Sequence, residues 1–130
     1  NLGENAKSAL ISRSFAEMTR YAKKFKADKN TLFGLSGLGD LILTCSSKNS
    51  RNTQFGIKLA SSKYDNFLDL LKSQEVTEGY YTVKAVYNIS QKKNIDMPIM
   101  ESVYNILYKQ HDLKEELSNL LSRPITEEKI

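Results

Sequence analysis

Residues 5–26, NAKSALISRSFAEMTRYAKKFK, decide the fold class. Ala6, Leu10, Ile11, Phe15, Met18, Ala22 and Phe25 recur at three- and four-residue spacing, the period of a single helix face. Lys7, Arg13, Glu17, Arg20, Lys23 and Lys24 fill much of the remainder, as on a solvated face. The spacing predicts one long helix that can serve as a spine. Asp28-Lys29-Asn30 ends it and can cap a short turn through Thr31, Leu32 and Phe33.

Working outward, the same period returns without strand alternation. Gly34, Gly37 and Gly39 crowd one short stretch, marking a sharp bend or a close approach to the backbone. The apolar run Leu41 to Thr44 predicts a short buried helix. Ser46-Ser47-Lys48-Asn49 reads as a polar loop, and Ser50 as the N-cap of a helix through Phe55, Leu59 and Ala60. Asp65-Asn66 opens a helix carrying Phe67, Leu68, Leu70 and Leu71. Glu78-Gly79 reads as a turn before a helix with Tyr80, Val83, Ala85, Val86 and Ile89, ending at Gln91-Lys92-Lys93. Pro98 suits the first turn of the next helix, which presents Ile99, Val103, Tyr104 and Leu107. Asp112 and Glu115 stand at capping-box spacing before Leu113, Leu117, Leu120 and Leu121, and Pro124 stops that helix. The reading is all-α: about six or seven helices around the long first one. Residues 1–122 form one domain and 123–130 a frayed tail.

Bulk properties narrow the function classes. A chain of 130 residues can hide about 70% of its unfolded surface and form one domain. Its hydrophobic content of 40% and charged content of 26% are those of an ordinary globular protein. No apolar run approaches the ~20 residues that cross a bilayer, so no membrane span is expected. The first residues, Asn1-Leu2-Gly3-Glu4-Asn5, resemble no signal peptide, and the missing initiator Met suggests a processed or truncated chain. The lone Cys45 fits a reducing, cytoplasmic compartment and excludes an internal disulfide. Net charge is +4, from 19 basic and 15 acidic residues, which suits a small anionic substrate or simply a solvated, lysine-rich surface.

The residues able to carry chemistry are few. If Ser50 caps a helix, the free N–H groups and dipole at its start favour an anion. Arg51 adds a planar fork of donors that matches phosphate oxygens, and Ser50 and Asn52 add neutral hydrogen bonds. The plainer reading is a capped helix with an exposed arginine. Asp40, between a glycine turn and an apolar run, is expected to be partly buried and to need a partner. That partner could be a structural arginine such as Arg13, a catalytic ammonium or a substrate hydroxyl. Thr44 follows four residues on, hence on the same helical face. Cys45 reads as a small apolar residue, His111 as a surface or capping group, and the Lys pairs as solvated. One His and one Cys far apart make a metal site improbable, and no phosphate-loop or dinucleotide fingerprint is present.

At Gly34-Leu35-Ser36-Gly37-Leu38-Gly39-Asp40-Leu41-Ile42-Leu43-Thr44-Cys45 and Ser50-Arg51-Asn52 the chain resembles the bacterial-type NAD(P)-dependent glycerol-3-phosphate dehydrogenases. Asn5 to Arg13 with Glu17-Met18 resemble the opening helix of that family's second domain. Glu78-Gly79-Tyr80-Tyr81-Thr82 resembles its Glu-Gly-x-x-Thr turn, and Met97-Pro98-Ile99 with Val103-Tyr104 and Ile106-Leu107 its late helix. The ordered set spans about residues 1–121.

The resemblance implies an all-α substrate-binding domain of the 6-phosphogluconate dehydrogenase type beside a Rossmann domain. It implies reversible hydride transfer from NADH or NADPH to dihydroxyacetone phosphate, giving glycerol 3-phosphate for phospholipid synthesis and leaving NAD or NADP. By position, Asp40, Ser50, Arg51 and Asn52 would contact substrate, with Thr44 a neighbour. Arg51, Val76 and Glu78 would contact the dinucleotide. The family's catalytic lysine and its cofactor domain would lie upstream of Asn1, so none of these residues is the catalytic acid/base and Lys7 does not replace it. The isolated chain is then expected to be catalytically silent. A homodimer is expected by analogy. The rival readings are a basic helical module for nucleic acid, which lacks a recognition motif here, and a structural helical adaptor.

Overall fold

The long helix forms as its period predicts. In a computed structural model describing residues 3–61, 69–70 and 78–123, α1 runs Glu4–Lys24. It stops short of residue 26 because Lys26 turns into the left-handed region, with φ of 57°, and Phe25 is left half-exposed. Asp28 accepts a hydrogen bond from the Asn30 amide at 2.9 Å and caps α2 (Lys29–Phe33). A π-helical turn, Leu35–Gly39, continues directly into α3 (Asp40–Ser46). α4 spans Arg51–Ser61, α5 Glu78–Lys93, α6 Pro98–Lys109 and α7 Leu113–Leu121. Pro98 takes the first position of α6, and Asp112 caps α7 by accepting from the Glu115 amide at 3.1 Å. Glu78-Gly79 is the first turn of α5 rather than a turn before it. No strand occurs among the described residues. Of the helix expected to open at Asp65-Asn66, only Asp69 and Leu70 fall within them, and the tail from 124 onward lies outside them.

Two packed regions hold the helices together. Phe55 of α4 and Leu107 of α6 are buried, with Leu59, Leu70, Tyr80, Val83, Val103 and Tyr108 packed around them. Tyrosines stack across the α5–α6 seam, Tyr87 on Tyr104 at 3.7 Å and Tyr80 on Tyr108 at 4.6 Å between ring centroids. The Tyr108 hydroxyl donates to the Tyr80 carbonyl at 2.6 Å, and burial, with its tyrosine neighbours, pushes its pKa up to about 12.

The second region is polar. Glu17, expected on the solvated face, is only 3% exposed. Its carboxylate accepts from the Ile99 amide at 2.5 Å and the Met100 amide at 3.2 Å, capping the start of α6 from another helix. Arg13 donates to the Leu120 carbonyl at 2.7 Å, in the last turn of α7, so it is not engaged with Asp40. Arg20 donates to the Asp96 carbonyl at 2.8 Å, just ahead of α6. Residues 13, 17 and 20 thus form a polar stripe that places a cation at one helix end and an anion at another, as the helix dipoles favour.

Candidate functional site

The glycine stretch is a close approach, not a bend. Gly39 donates to the Gly34 carbonyl at 3.2 Å, a π-type bond that keeps the chain helical into α3. Gly37 is buried against Leu32, where a Cβ would lie 2.7 Å from that residue's Cα and carbonyl carbon. Asp40 is delivered as the first residue of α3, and it is exposed rather than partly buried. The expected burial of Leu41 to Thr44 also fails. A seven-residue helix can cover one side, and α3 turns Leu41, Thr44 and Cys45 inward while Ile42 and Leu43 remain 47% and 67% exposed. Burial raises the Cys45 pKa against the opposing charge of Lys7, so the thiol stays protonated.

Ser50 caps α4 as expected, its Oγ accepting from the Thr53 amide at 3.4 Å. Arg51 is the first helical residue and is exposed. Among the described residues neither Arg51 nor Asp40 has an ion-pair partner. The guanidinium therefore stands free at a helix start whose N–H groups share its preference for anions. Thr53 Oγ1 donates to the Thr44 carbonyl at 3.1 Å and ties this start to the last turn of α3. Asp40 lies one helical turn of α3, ~6 Å, from that joint. On the other side, the Asn52 amide sits against Gly79, where a Cβ would come within 2.5 Å of Asn52 Oδ1. The start of α4 and the start of α5, with exposed Glu78, are thereby brought together. Val76 lies outside the described residues. Sequence reasoning missed Thr53, although it stands at the N3 position after a Ser cap, and it read Gly79 only as a turn.

Residues 1–118 match the family described as NAD-dependent glycerol-3-phosphate dehydrogenase C-terminus. The chain belongs to this family. It is 46% identical over 127 residues to glycerol-3-phosphate dehydrogenase [NAD(P)+] of Ligilactobacillus salivarius, covering 97% of this chain and 37% of that protein. It is 43% identical over 122 residues to the enzyme of that name from Staphylococcus carnosus, covering 93% and 36%. Among solved structures, glycerol-3-phosphate dehydrogenase from Coxiella burnetii superposes with a TM-score of 0.84 at 37% identity, covering 93% of this chain and 37% of that one. The chain thus spans little more than a third of the length of the dehydrogenases it matches. The all-α fold agrees with this C-terminal family. Among the described residues no helix is long and apolar enough to cross a membrane.

Proposed function

We propose that this chain is the substrate-binding domain of an NAD(P)-dependent glycerol-3-phosphate dehydrogenase, interconverting dihydroxyacetone phosphate and glycerol 3-phosphate for phospholipid synthesis. The observation that carries the reading is the first turn of α4: a Ser50 cap, an exposed Arg51 with no ion-pair partner among the described residues, and Asn52 seated against the start of α5. Arg51 and the free N–H groups of that turn would hold the phosphate. Ser50 and Asn52 would add neutral hydrogen bonds. Asp40, one turn of α3 away from the Thr53 joint, would accept from a substrate hydroxyl and orient the polar end, with Thr44 beside it.

The residues present fit a dinucleotide at the same edge. Exposed Glu78 offers an acceptor for hydroxyl groups, and exposed Arg51 offers N–H donors to phosphate oxygens close by; Val76 belongs to the same proposed contact. Bound there, the nicotinamide would supply or accept the hydride. The acid/base at the carbonyl oxygen is not among these residues. Residues 1–122 as one domain with a tail from 123, a Rossmann domain as its packing partner, a homodimer and a cytoplasmic setting belong to the same proposal. The single Cys45 and the apolar side chains exposed on α3 support it.

The test is the full-length dehydrogenase with Arg51→Ala, assayed by nicotinamide absorbance. Loss of a charge-assisted phosphate contact should raise KM for dihydroxyacetone phosphate by about one to two orders of magnitude. An unchanged KM would remove the reading.

A further inference from the structure

The first turn of α4 is located by two residues that the proposed contact set does not include. Thr53 spends its backbone N–H on the Ser50 cap and its hydroxyl on the Thr44 carbonyl. That carbonyl belongs to the last turn of α3, where carbonyls lack intrahelical donors. The bond therefore joins the helix beginning at Arg51 to the helix beginning at Asp40. Gly79 serves on the opposite side. Its φ is not positive, so backbone freedom does not require a glycine there. Space does: a Cβ would stand 2.5 Å from Asn52 Oδ1, 3.1 Å from Cγ and 3.3 Å from Nδ2. The missing side chain is the seat of the Asn52 amide.

We propose that Thr53 and Gly79 are positioning residues for substrate recognition, fixing the start of α4 against α3 and α5 so that Arg51 and Asn52 meet the phosphorylated substrate together. This rests on the substrate-binding reading of that turn. A methyl at residue 79 would meet only the end of a flexible side chain, so the fold survives it and the Asn52 amide swings away. Alanine is also the better helix former. Stability and recognition then move in different directions, which a merely structural role does not allow.

The experiment is steady-state kinetics and thermal unfolding of the full-length dehydrogenase carrying Gly79→Ala, Thr53→Val, Thr53→Ser or Arg51→Ala. Gly79→Ala should raise KM for dihydroxyacetone phosphate about three- to tenfold, the effect of losing one neutral hydrogen bond, with Tm unchanged or higher. That increase should vanish in an Asn52→Ala background, because the two changes act on one contact. Thr53→Val should raise the same KM, and Thr53→Ser, which keeps the hydroxyl, should restore it. If Arg51→Ala raises KM while Gly79→Ala leaves it within twofold, the positioning role is overturned and the substrate reading stands. If Arg51→Ala has no effect, both fall. Should Thr53→Val fail to fold, Gly79→Ala and its Asn52 background decide alone.

Discussion

Arg51 distinguishes charge from shape. Arg51→Lys keeps a cation at the start of α4 but replaces a planar fork with a point charge. In the full-length enzyme, KM for dihydroxyacetone phosphate should therefore fall between those of wild type and Arg51→Ala; equality with wild type would mean that long-range charge alone suffices. Two buried acids show the same dependence on surroundings. Burial alone would raise the Glu116 pKa, but contacts with His111, Ser102 and Asn105 outweigh it and hold the group below its ordinary 4.5. His111 Nδ1 lies 2.8 Å from Glu116 Oε1, so this histidine is an exposed group with a buried partner. A depressed value means stability that is present above 4.5 and lost as pH falls through the folded value. Glu17 has the opposite sign. Burial raises its pKa despite the Ile99 and Met100 hydrogen bonds and the Arg20 charge, with Asp96 adding to the rise. Its contribution is present below 4.5 and lost as pH rises through the elevated value. Urea midpoints measured across the acid range should show Glu116→Gln losing the acid-side fall and Glu17→Gln losing the opposing one. Neither role was legible in composition or period, because both acids sit on helices whose polar positions read as solvated. Packing of α1 on α6 gives Glu17 its partners, and Glu116 gains Ser102 and Asn105 from α6 and His111 from the connection that leads into α7.

Elements were more legible than residues wherever a local signal fixes a helix end. Asp28, Ser50, Pro98 and Asp112 each start a helix where expected, since a cap or a fixed φ acts within one turn. Between Gly34 and Thr44 the glycines left two readings open and the burial of Asp40 and the apolar run was misjudged, because the constraints there are not local. Three glycines signal turning or close approach equally well, and the choice depends on where Leu32 lies. An apolar run signals burial, but α3 has no described neighbour over Ile42 and Leu43. The close approach is testable. Gly37→Ala would push a methyl into the Leu32 backbone, which cannot swing aside as a side chain can, so α2 or the π-helical turn must move. Overpacking of this kind costs about 1–3 kcal/mol, read as a lower denaturation midpoint. The contrast with Gly79→Ala is informative. Both glycines leave room for a neighbour, but one neighbour is backbone and the other an amide free to rotate.

For the whole molecule, the described surface carries apolar side chains that the fold leaves uncovered. Leu35 is 90% exposed, and Phe33, Ile42, Leu43, Ile57 and Tyr81 are exposed as well. Side chains already in water add little to stability, so Leu43→Ser should shift the unfolding free energy of the 130-residue chain by less than ~0.5 kcal/mol. The site has the same open character: Asp40, Arg51 and Glu78 all face solvent without ion-pair partners among the described residues. Such groups can recognise a phosphate or a hydroxyl, yet hydride transfer also needs a nicotinamide in place and a proton donor at the carbonyl oxygen. No dinucleotide fingerprint occurs in these residues. The 130-residue polypeptide, shown to be helical by circular dichroism, should therefore leave nicotinamide absorbance flat with dihydroxyacetone phosphate while a full-length relative turns over. A measurable slope would mean that residues within these helices hold the ring and move the proton unaided, and the division of labour between a recognition domain and a chemistry domain would have to be abandoned.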